Sequence, residues 1–515
     1  PKLFFKDMFL KKYIPIKNKA KTITPKKKNG YSKYVIVSAV YNVEKYLNDY
    51  FNSIINQRLD FKNNIHIICV DDGSSDNSAK IIKHYQKKYP KNITYIYKEN
   101  GGQASARNLG LKLLQEDPNL KDKFTWVTFT DPDDFLDRDY FYEVDEFLQK
   151  NEKYNIACVV CAINTFNTIG LYRKHPANFF TKSHIPVSLN DSTLDIITTS
   201  TRSFFLINDI KNMQLNFDTN IKTFEDCKFY LSYIQNNRNN NKYITYLSSA
   251  IYYARKRPDS TMKNIDLENY IKSLYTIQDI FQNNIQSHNE VLSVSQNVSL
   301  FHLFYLTKDI VDNNLKNINL ELGKNLLYVL DNIFSKISVD TILDSTINKF
   351  SFHYKIGMLY CFKNVYPPFN RVYINDIDHI KQQICIRYFT PYPNDVESIQ
   401  IDGKEIYADH EKIRQYNFLT RVFVYEKILW INIPKDSLKL EIFLKGQRAK
   451  IYFANKSYKV LDIKNIFHTI HNNIDSIWLL IDKDIAADDN AEHFYRYVMK
   501  NHPTQNIVFA LRKDS

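Results

Sequence analysis

The sequence predicts an α/β fold with a mostly parallel central sheet, followed by a helical subdomain and a small antiparallel β domain. Three observations carry this expectation. Short apolar runs alternate with helix-like stretches from Tyr34 to Thr130, a polar cluster follows each run, and the hydrophobic period changes twice further on.

Tyr34-Val35-Ile36-Val37-Ser38-Ala39-Val40 reads as a buried first strand, ended by Tyr41-Asn42 and followed by a helix from about Val43 to Gln57. The second strand, Ile65 to Val70, runs into Asp71-Asp72-Gly73-Ser74, and its helix reaches about Tyr89. Ile93 to Tyr97 gives a third strand, ended by Lys98-Glu99-Asn100-Gly101-Gly102, and Arg107 lies in the helix that follows. Trp126 to Thr130 is the fourth strand and delivers Asp131-Pro132-Asp133-Asp134. Strands joined through helices lie parallel with both faces covered, and ligands bind beyond their carboxyl ends. The polar clusters are then neighbours in space although about ninety residues separate the first from the last.

Asp131, Asp133 and Asp134 leaving one strand end together call for a positive partner. A hard divalent cation that keeps part of its shell for phosphate oxygens is the natural candidate. The alternative is an Asp-Pro turn, with Asp134 capping a helix that starts near Phe135.

At 515 residues the chain exceeds what one hydrophobic core supports, so roughly two to four domains are expected, and 44% apolar residues is ordinary for a globular protein. No apolar run approaches the roughly 18 residues that cross a bilayer, and no signal-peptide pattern opens the chain, which predicts a cytoplasmic protein. The six cysteines are scattered in apolar contexts and read as core thiols; Cys158-Val-Val-Cys161 has no second pair to complete a zinc site. The net charge of +13 points to an anionic partner, and Lys2 to Lys33 concentrate it, with Asp7 the single acid. Leu3, Phe4, Phe5, Met8 and Phe9 interleave with those lysines, so the arm reads either as an amphipathic helix on an anionic membrane surface or as a solvated tail. No recognition motif for nucleic acid accompanies the charge.

Val37 to Asn42, Val70-Asp71-Asp72-Gly73-Ser74-Ser75-Asp76, Asn100 to Asn108 and Asp131-Pro132-Asp133-Asp134, in this order, resemble the family 2 glycosyltransferases. These have the GT-A fold, use nucleotide-diphosphate sugars and invert the anomeric centre. The resemblance covers roughly residues 34 to 260. It implies that Asp72 accepts the imide proton of uracil, that Tyr41 stacks on the ring, and that Ala39 allows close approach; strand-end packing is the plainer role for the last two. Asp71 instead caps the turn beside Gly73. Arg107 is implied as a partner of phosphate or of the metal-site carboxylates, with a surface salt bridge as the alternative. Asp131 bonds ribose or sugar hydroxyls, while Asp133, matching the last acid of the family's DxD, binds Mn²⁺ or Mg²⁺ and Asp134 shares that role.

Glu225-Asp226 resembles the family's ED motif, which implies Asp226 as the base, with Glu225 contacting the acceptor or orienting Asp226. Acids also favour the first turn of any helix. Arg255, Arg257 and Ser260 resemble the family's closing segment and are candidate phosphate ligands, or form a plain basic loop.

The expected organisation is a basic arm over 1–33, the transferase over 34–262, a helical subdomain over 263–370, a small β domain over 380–462, and the start of a further domain over 463–515. In the last part, Ser476 to Lys483, Ala487 to Tyr495 and Asn501-His502-Pro503 resemble the opening of the CDP-glycerol glycerophosphotransferase domain of teichoic-acid and capsule polymerases. With Pro1 where a Met would start, this predicts an excised piece of a longer protein. The resulting expectation is an inverting, metal-dependent transferase. It would move a hexose or N-acetylhexosamine from a UDP-sugar to a glycerol-phosphate-containing capsule or teichoic-acid-like polymer at the inner face of the cell membrane. The alternative is a non-catalytic module that positions such a polymer for a partner polymerase domain.

Overall fold

The computed structural model describes residues 27–120, 123–166, 172–175, 178, 183–191, 198–257, 267–312, 318–344, 352–467, 478–481, 490–501 and 507–510. One compact unit runs to Tyr366 and takes in Asn417–Phe423; the other takes Pro367–Tyr416 and resumes at Val424.

In the first unit, β1 (Tyr34–Val40), β2 (Ile65–Asp72), β3 (Ile93–Lys98) and β4 (Trp126–Phe129) are parallel neighbours in the order β3-β2-β1-β4. Their continuous apolar runs suit strands covered on both faces, and every residue of β2 is buried. The crossovers contain α1 (Glu44–Ile55), α2 (Phe61–Asn64), α3 (Ser78–Lys88) and α4 (Gln103–Glu116). Leu47, Tyr50, Phe51 and Ile54 put one face of α1 into the core. A Cβ on Gly110 of α4 would meet Val37 Cγ1 of β1 at 2.5 Å, so α4 lies closer to the sheet than any other residue would permit.

Beyond β4 the sheet departs from the parallel expectation. β9 (Ser203–Leu206) runs antiparallel to both β4 and β6 (Ile156–Phe166), and β10 (Tyr243–Arg255) is parallel to β6. β5 (Phe135–Leu136) pairs antiparallel with β10, so Phe135 sits in a strand opposite Tyr253 and no helix starts there; α5 begins only at Tyr140 and ends at Lys150. β7 (Tyr172–Lys174) and β8 (Val187–Ser188) complete ten strands among the described residues. α6 (Ile207–Asn212) and α7 (Glu225–Asn237) follow β9. All six cysteines are free, and burial pushes the Cys161 thiol up to about 12, as suits a core residue.

A helical layer of α8 (Leu267–His288), α9 (Ser293–Val311), α10 (Leu320–Lys336), α11 (Val339–Asp344) and α12 (Phe352–Lys363) completes the unit. Phe281, Phe304 and Phe334 are fully buried within it. It meets the sheet domain where Asn284 Nδ2 donates to Gln235 Oε1 at 3.2 Å and where the His302 ring lies 5.0 Å from that of Phe224. Among the described residues no helix is long and apolar enough to cross a membrane.

The second unit is a β-sandwich. One sheet joins β11 (Arg371–Asp378), β12 (Gln383–Thr390), β15 (His410–Phe418), β16 (Arg421–Asn432), β19 (Lys450–Phe453) and β20 (Lys456–Tyr458) in the order β15-β16-β12-β11-β19-β20. The other joins β13 (Glu397–Ile401), β14 (Lys404–Ile406), β17 (Lys439–Leu444), β18 (Gln447–Arg448) and β21 (Leu461–Asp462). Their facing side chains, among them Val372, Ile386, Ile401, Leu429 and Ile442, form a shared core. Further on, Trp478–Ile481 and Ile507–Ala510 pair in parallel around the helix Asn490–Asn501; most of the intervening sequence lies outside the described residues.

Candidate active site

Asp71 and Asp72 end β2 and point to opposite faces, as successive strand residues must. Asp71 closes the turn, accepting from Ser74 N and Tyr95 OH at 2.9 Å each. Asp72 is 3% exposed and almost fully partnered. Its Oδ1 accepts from Lys98 Nζ at 2.6 Å and Gly101 N at 2.9 Å, and its Oδ2 from Gly102 N at 2.8 Å. Gly102 turns these amides onto the carboxylate at a φ of 87°, open to glycine alone without strain. One lone pair of Oδ2 is left for a further donor. Tyr41, 53% exposed, stands just past β1, and Ala39 pairs in register with Val70.

At the end of β4, Asp131 Oδ1 accepts from Gln103 Nε2 at 2.8 Å and Arg107 Nη2 at 2.9 Å. Gln103 and Arg107 are four apart on α4 and so share a face. Arg107 is 1% exposed, which rules out the surface salt bridge. Its Nη1 lies 3.6 Å from Glu225 Oε1, its guanidinium sits over the Phe217 ring at 5.3 Å, and its Nε and Nη1 make no hydrogen bond among the described residues. A buried cation thus spans acids from β4 and α7.

Asp133 Oδ2 forms an ion pair with Arg257 Nε at 2.8 Å. Burial, and then Asp131, push its carboxyl up to about 6, against the pull of Arg257. Among the described residues no group of three His, Cys, Asp or Glu side chains is arranged to cage a metal. The single carboxylate of Asp133 would fit a magnesium- or manganese-type ion that takes the rest of its shell from water and phosphate. Asp134 does not fit that role. Tyr252 OH donates to its Oδ2 at 2.8 Å and Arg255 N to its Oδ1 at 2.7 Å. Burial and Asp133 hold its carboxyl well above the usual range, so Asp134 anchors β10 instead of extending a metal shell.

Arg255 is held in the same way, with Nε donating to the Asp133 carbonyl at 2.8 Å, Nη2 to Asp49 Oδ2 at 3.3 Å, and its plane between Tyr46 and Phe166. Ser260 lies outside the described residues. Beneath the site the hydroxyls of Ser38, Tyr50 and Thr130 close a buried hydrogen-bonded ring that ties β1, α1 and the end of β4 together.

α7 begins at Glu225 without a side-chain cap, and Phe224 before it adopts a φ of 73°, a left-handed conformation unfavourable for a bulky residue. Three contacts brace the segment around it. Asn108 accepts from Phe217 N at 2.7 Å and donates to Phe217 O at 2.8 Å, Lys228 pairs with Asp218 at 2.6 Å, and Phe217 stacks on Phe229 at 4.2 Å. Glu225 is 8% exposed; burial, then Asp226, push its carboxyl up to about 8, opposed by Arg107. Burial raises the Asp226 carboxyl as well, while its Oδ1 accepts from Cys227 N at 2.8 Å. Adjacent carboxyls moved toward neutrality are what proton transfer at ordinary pH requires.

Lys98, Gln103, Asn108 and Tyr252 belong to the site although the sequence reading did not single them out. The spacing of Gln103 from Arg107 and the strand-end position of Lys98 opposite Asp72 were available signals. Tyr252 gave none: its hydroxyl, which accepts from Asp131 N at 3.0 Å, reaches a residue 121 positions away in sequence.

Residues 35–211 match the family described as Glycosyl transferase family 2. The minor teichoic acid biosynthesis protein GgaB of Bacillus subtilis is 26% identical, over 94% of this chain and 63% of its own length. The poly(ribitol-phosphate) beta-N-acetylglucosaminyltransferase TarS of Staphylococcus aureus is 26% identical over 45% of this chain and 37% of its own. The crystal structure of S. aureus TarS superposes with a TM-score of 0.49 at 16% identity, covering 84% of this chain and 77% of that one. The chain therefore spans less than two thirds of these curated relatives.

Proposed function

We propose, for a chain whose residues 35–211 form a glycosyl transferase family 2 domain, the inverting transfer of a hexose or N-acetylhexosamine from a UDP-sugar to a hydroxyl of a teichoic-acid-type or capsule polymer that contains glycerol phosphate. The observation that carries this reading is the contact chain Asp131–Arg107–Glu225, in which one buried guanidinium joins a donor-side acid to the acidic pair. Asp72 accepts the imide N–H of uracil through the remaining lone pair of Oδ2, and Tyr41 stacks on the ring. Asp131 orients sugar or ribose hydroxyls. Asp133 would hold Mn²⁺ or Mg²⁺, an ion that offsets charge on the departing diphosphate when bound. Arg257 turns from Asp133 to the phosphates, Ser260 is a further candidate phosphate ligand from the sequence, and Arg255 braces the Asp133 backbone. Asp226 takes the proton of the attacking hydroxyl. Burial and the neighbouring Asp226 raise the Glu225 carboxyl, which favours its keeping a proton beside the base.

The acceptor class is supported by the names of the relatives, one for minor teichoic acid synthesis and one for a poly(ribitol-phosphate) transferase, and by the glycerophosphotransferase-like stretch after Ser476. The lysine-rich arm before Tyr34, largely outside the described residues, would attach the protein to the anionic inner face of the membrane. A donor screen with Mn²⁺, read by mass spectrometry on synthetic acceptors ending in glycerol phosphate or in sugar, tests the reading. The expected product is a glycerol-phosphate-ended acceptor heavier by one sugar. No UDP release with either acceptor overturns the transferase, and extension of sugar-ended acceptors alone overturns the acceptor.

A further inference from the structure

The β-sandwich has an outer sheet face that its own packing does not explain. Val372, Ile384, Ile386, Leu429, Ile431 and Ile451 are buried in its core, so the residues alternating with them on β11, β12, β16 and β19 face outward. The solvated side of such a sheet ordinarily alternates as the polar face. Here Tyr373 is the register partner of both Arg387 and Tyr452, so the three form one row across adjacent strands. The tyrosine rings are 5.3 Å apart, and the Arg387 guanidinium lies 5.8 Å from the Tyr373 ring and 5.7 Å from that of Phe389. Arg371 and Lys450 are partners in the next row, with the Arg371 guanidinium 5.3 Å from the Tyr452 ring. The acids on this face of β11, β12 and β16 are Glu426, Asp376 and Asp378; Glu426 is 2% exposed and already faces Arg387 at 3.4 Å, Arg414 at 3.5 Å and the Tyr416 hydroxyl at 3.0 Å. Cations remain in excess beside half-buried rings.

We infer that this face binds a polymer of sugar or polyol units joined by phosphodiesters. The Tyr373 and Tyr452 rings take the C–H faces of the units, and Arg371, Arg387 and Lys450 take the phosphates. Planar guanidinium groups match phosphate oxygens in pairs, and tyrosine with arginine is the composition of a binding surface, not of a plain solvated one. The inference rests on the acceptor class of the proposed function and adds a second hold on the same polymer, by residues that take no part in transfer.

The test titrates the full chain with poly(glycerol phosphate), an uncharged glucan and single-stranded RNA by calorimetry, beside the variants Tyr373→Ala/Arg387→Ala and Tyr373→Phe. The expected results are binding of poly(glycerol phosphate), at least tenfold weaker in the double variant and preserved in Tyr373→Phe, with no binding of glucan. UDP release with a short single-unit acceptor should be unchanged in both variants. Equal polymer affinity in wild type and double variant overturns the inference, as does equally tight RNA binding. So does a change in sedimentation of the double variant with polymer affinity intact, which gives the face to a second copy of the chain. If polymer binding is lost in the double variant while no UDP-sugar turns over in wild type, the face stands and the transferase fails; turnover with undiminished polymer affinity gives the reverse.

Discussion

Asp72 and Glu225 are almost equally buried, at 3% and 8% exposure, yet they stand in opposite conditions. Asp72, on the parallel half of the sheet, accepts from one lysine and two glycine amides, whereas Glu225, beyond the antiparallel half, has a guanidinium 3.6 Å away and an acid for its neighbour. The first place, the end of β2, presents acids already partnered and fixed, which is what selective binding needs. The second keeps its acids short of partners, so that their protons respond to whatever enters.

The sharpest way to break this comparison is to remove one acid from each side. Asp226→Asn should lower kcat by about 10²- to 10⁴-fold, the worth of a positioned base, and leave UDP affinity within a factor of about two. Asp72→Asn should do the opposite, weakening UDP roughly 10- to 100-fold while kcat at saturating donor holds. Turnover assays paired with UDP calorimetry separate the two; parallel losses in both variants would erase the distinction.

Next in size is Arg107→Ala. Arg107 draws both carboxyls of the pair downward, so its removal should move the acidic limb of the kcat profile to higher pH. Arg107→Lys should move it less. A limb that stays in place would show that Arg107 holds geometry alone.

Stability gives a smaller effect of definite sign. The Glu225 carboxyl lies higher in the native protein, at about 8, than its ordinary 4.5, so the native state binds that proton more tightly. Its contribution to stability is complete below about pH 4.5, falls as pH rises toward 8, and is gone above. Glu225→Gln should flatten that decline, leaving the variant a few degrees more stable than wild type at pH 8.5, at roughly 2–4 °C per kcal/mol. Melting temperatures at pH 5 and 8.5 measure it, and parallel curves would refute the shift. The smallest expected change is Tyr41→Ala, which should weaken UDP about fivefold through lost stacking while Tyr41→Phe does not.

The same contrast governs what the sequence made legible. On the parallel half an apolar run and the cluster ending it are contiguous, so β1 to β4, the Asp71 turn and the approach of Asp72 to the Gly101–Gly102 loop all follow from local order. On the other half the determinants are distant in sequence. The alternative of a helix starting near Phe135 gives way to a strand because Tyr253 pairs with it, and the side chain of Asp134 is taken up by Tyr252 and the Arg255 amide, both contributed by β10. The antiparallel insertion of β9 between β4 and β6 had no signal of its own. Arg107 was legible as a residue but not as a buried bridge, because its second acid comes from α7.

The contact of Phe224 with His302 ties the working lifetime of the proposed transferase to helices that carry none of the proposed chemistry. The His302 ring of α9 lies 5.0 Å from the ring of Phe224, the left-handed residue that α7 follows. Stability is not uniform across a fold, so a loosening of α9 alone would let the acidic pair drift from Arg107 with every strand still paired. Heat would then silence the enzyme at a temperature where its circular dichroism still shows an intact sheet, and its half-life in use would be set by the slowest escape of the helices, not by the melting point of the fold.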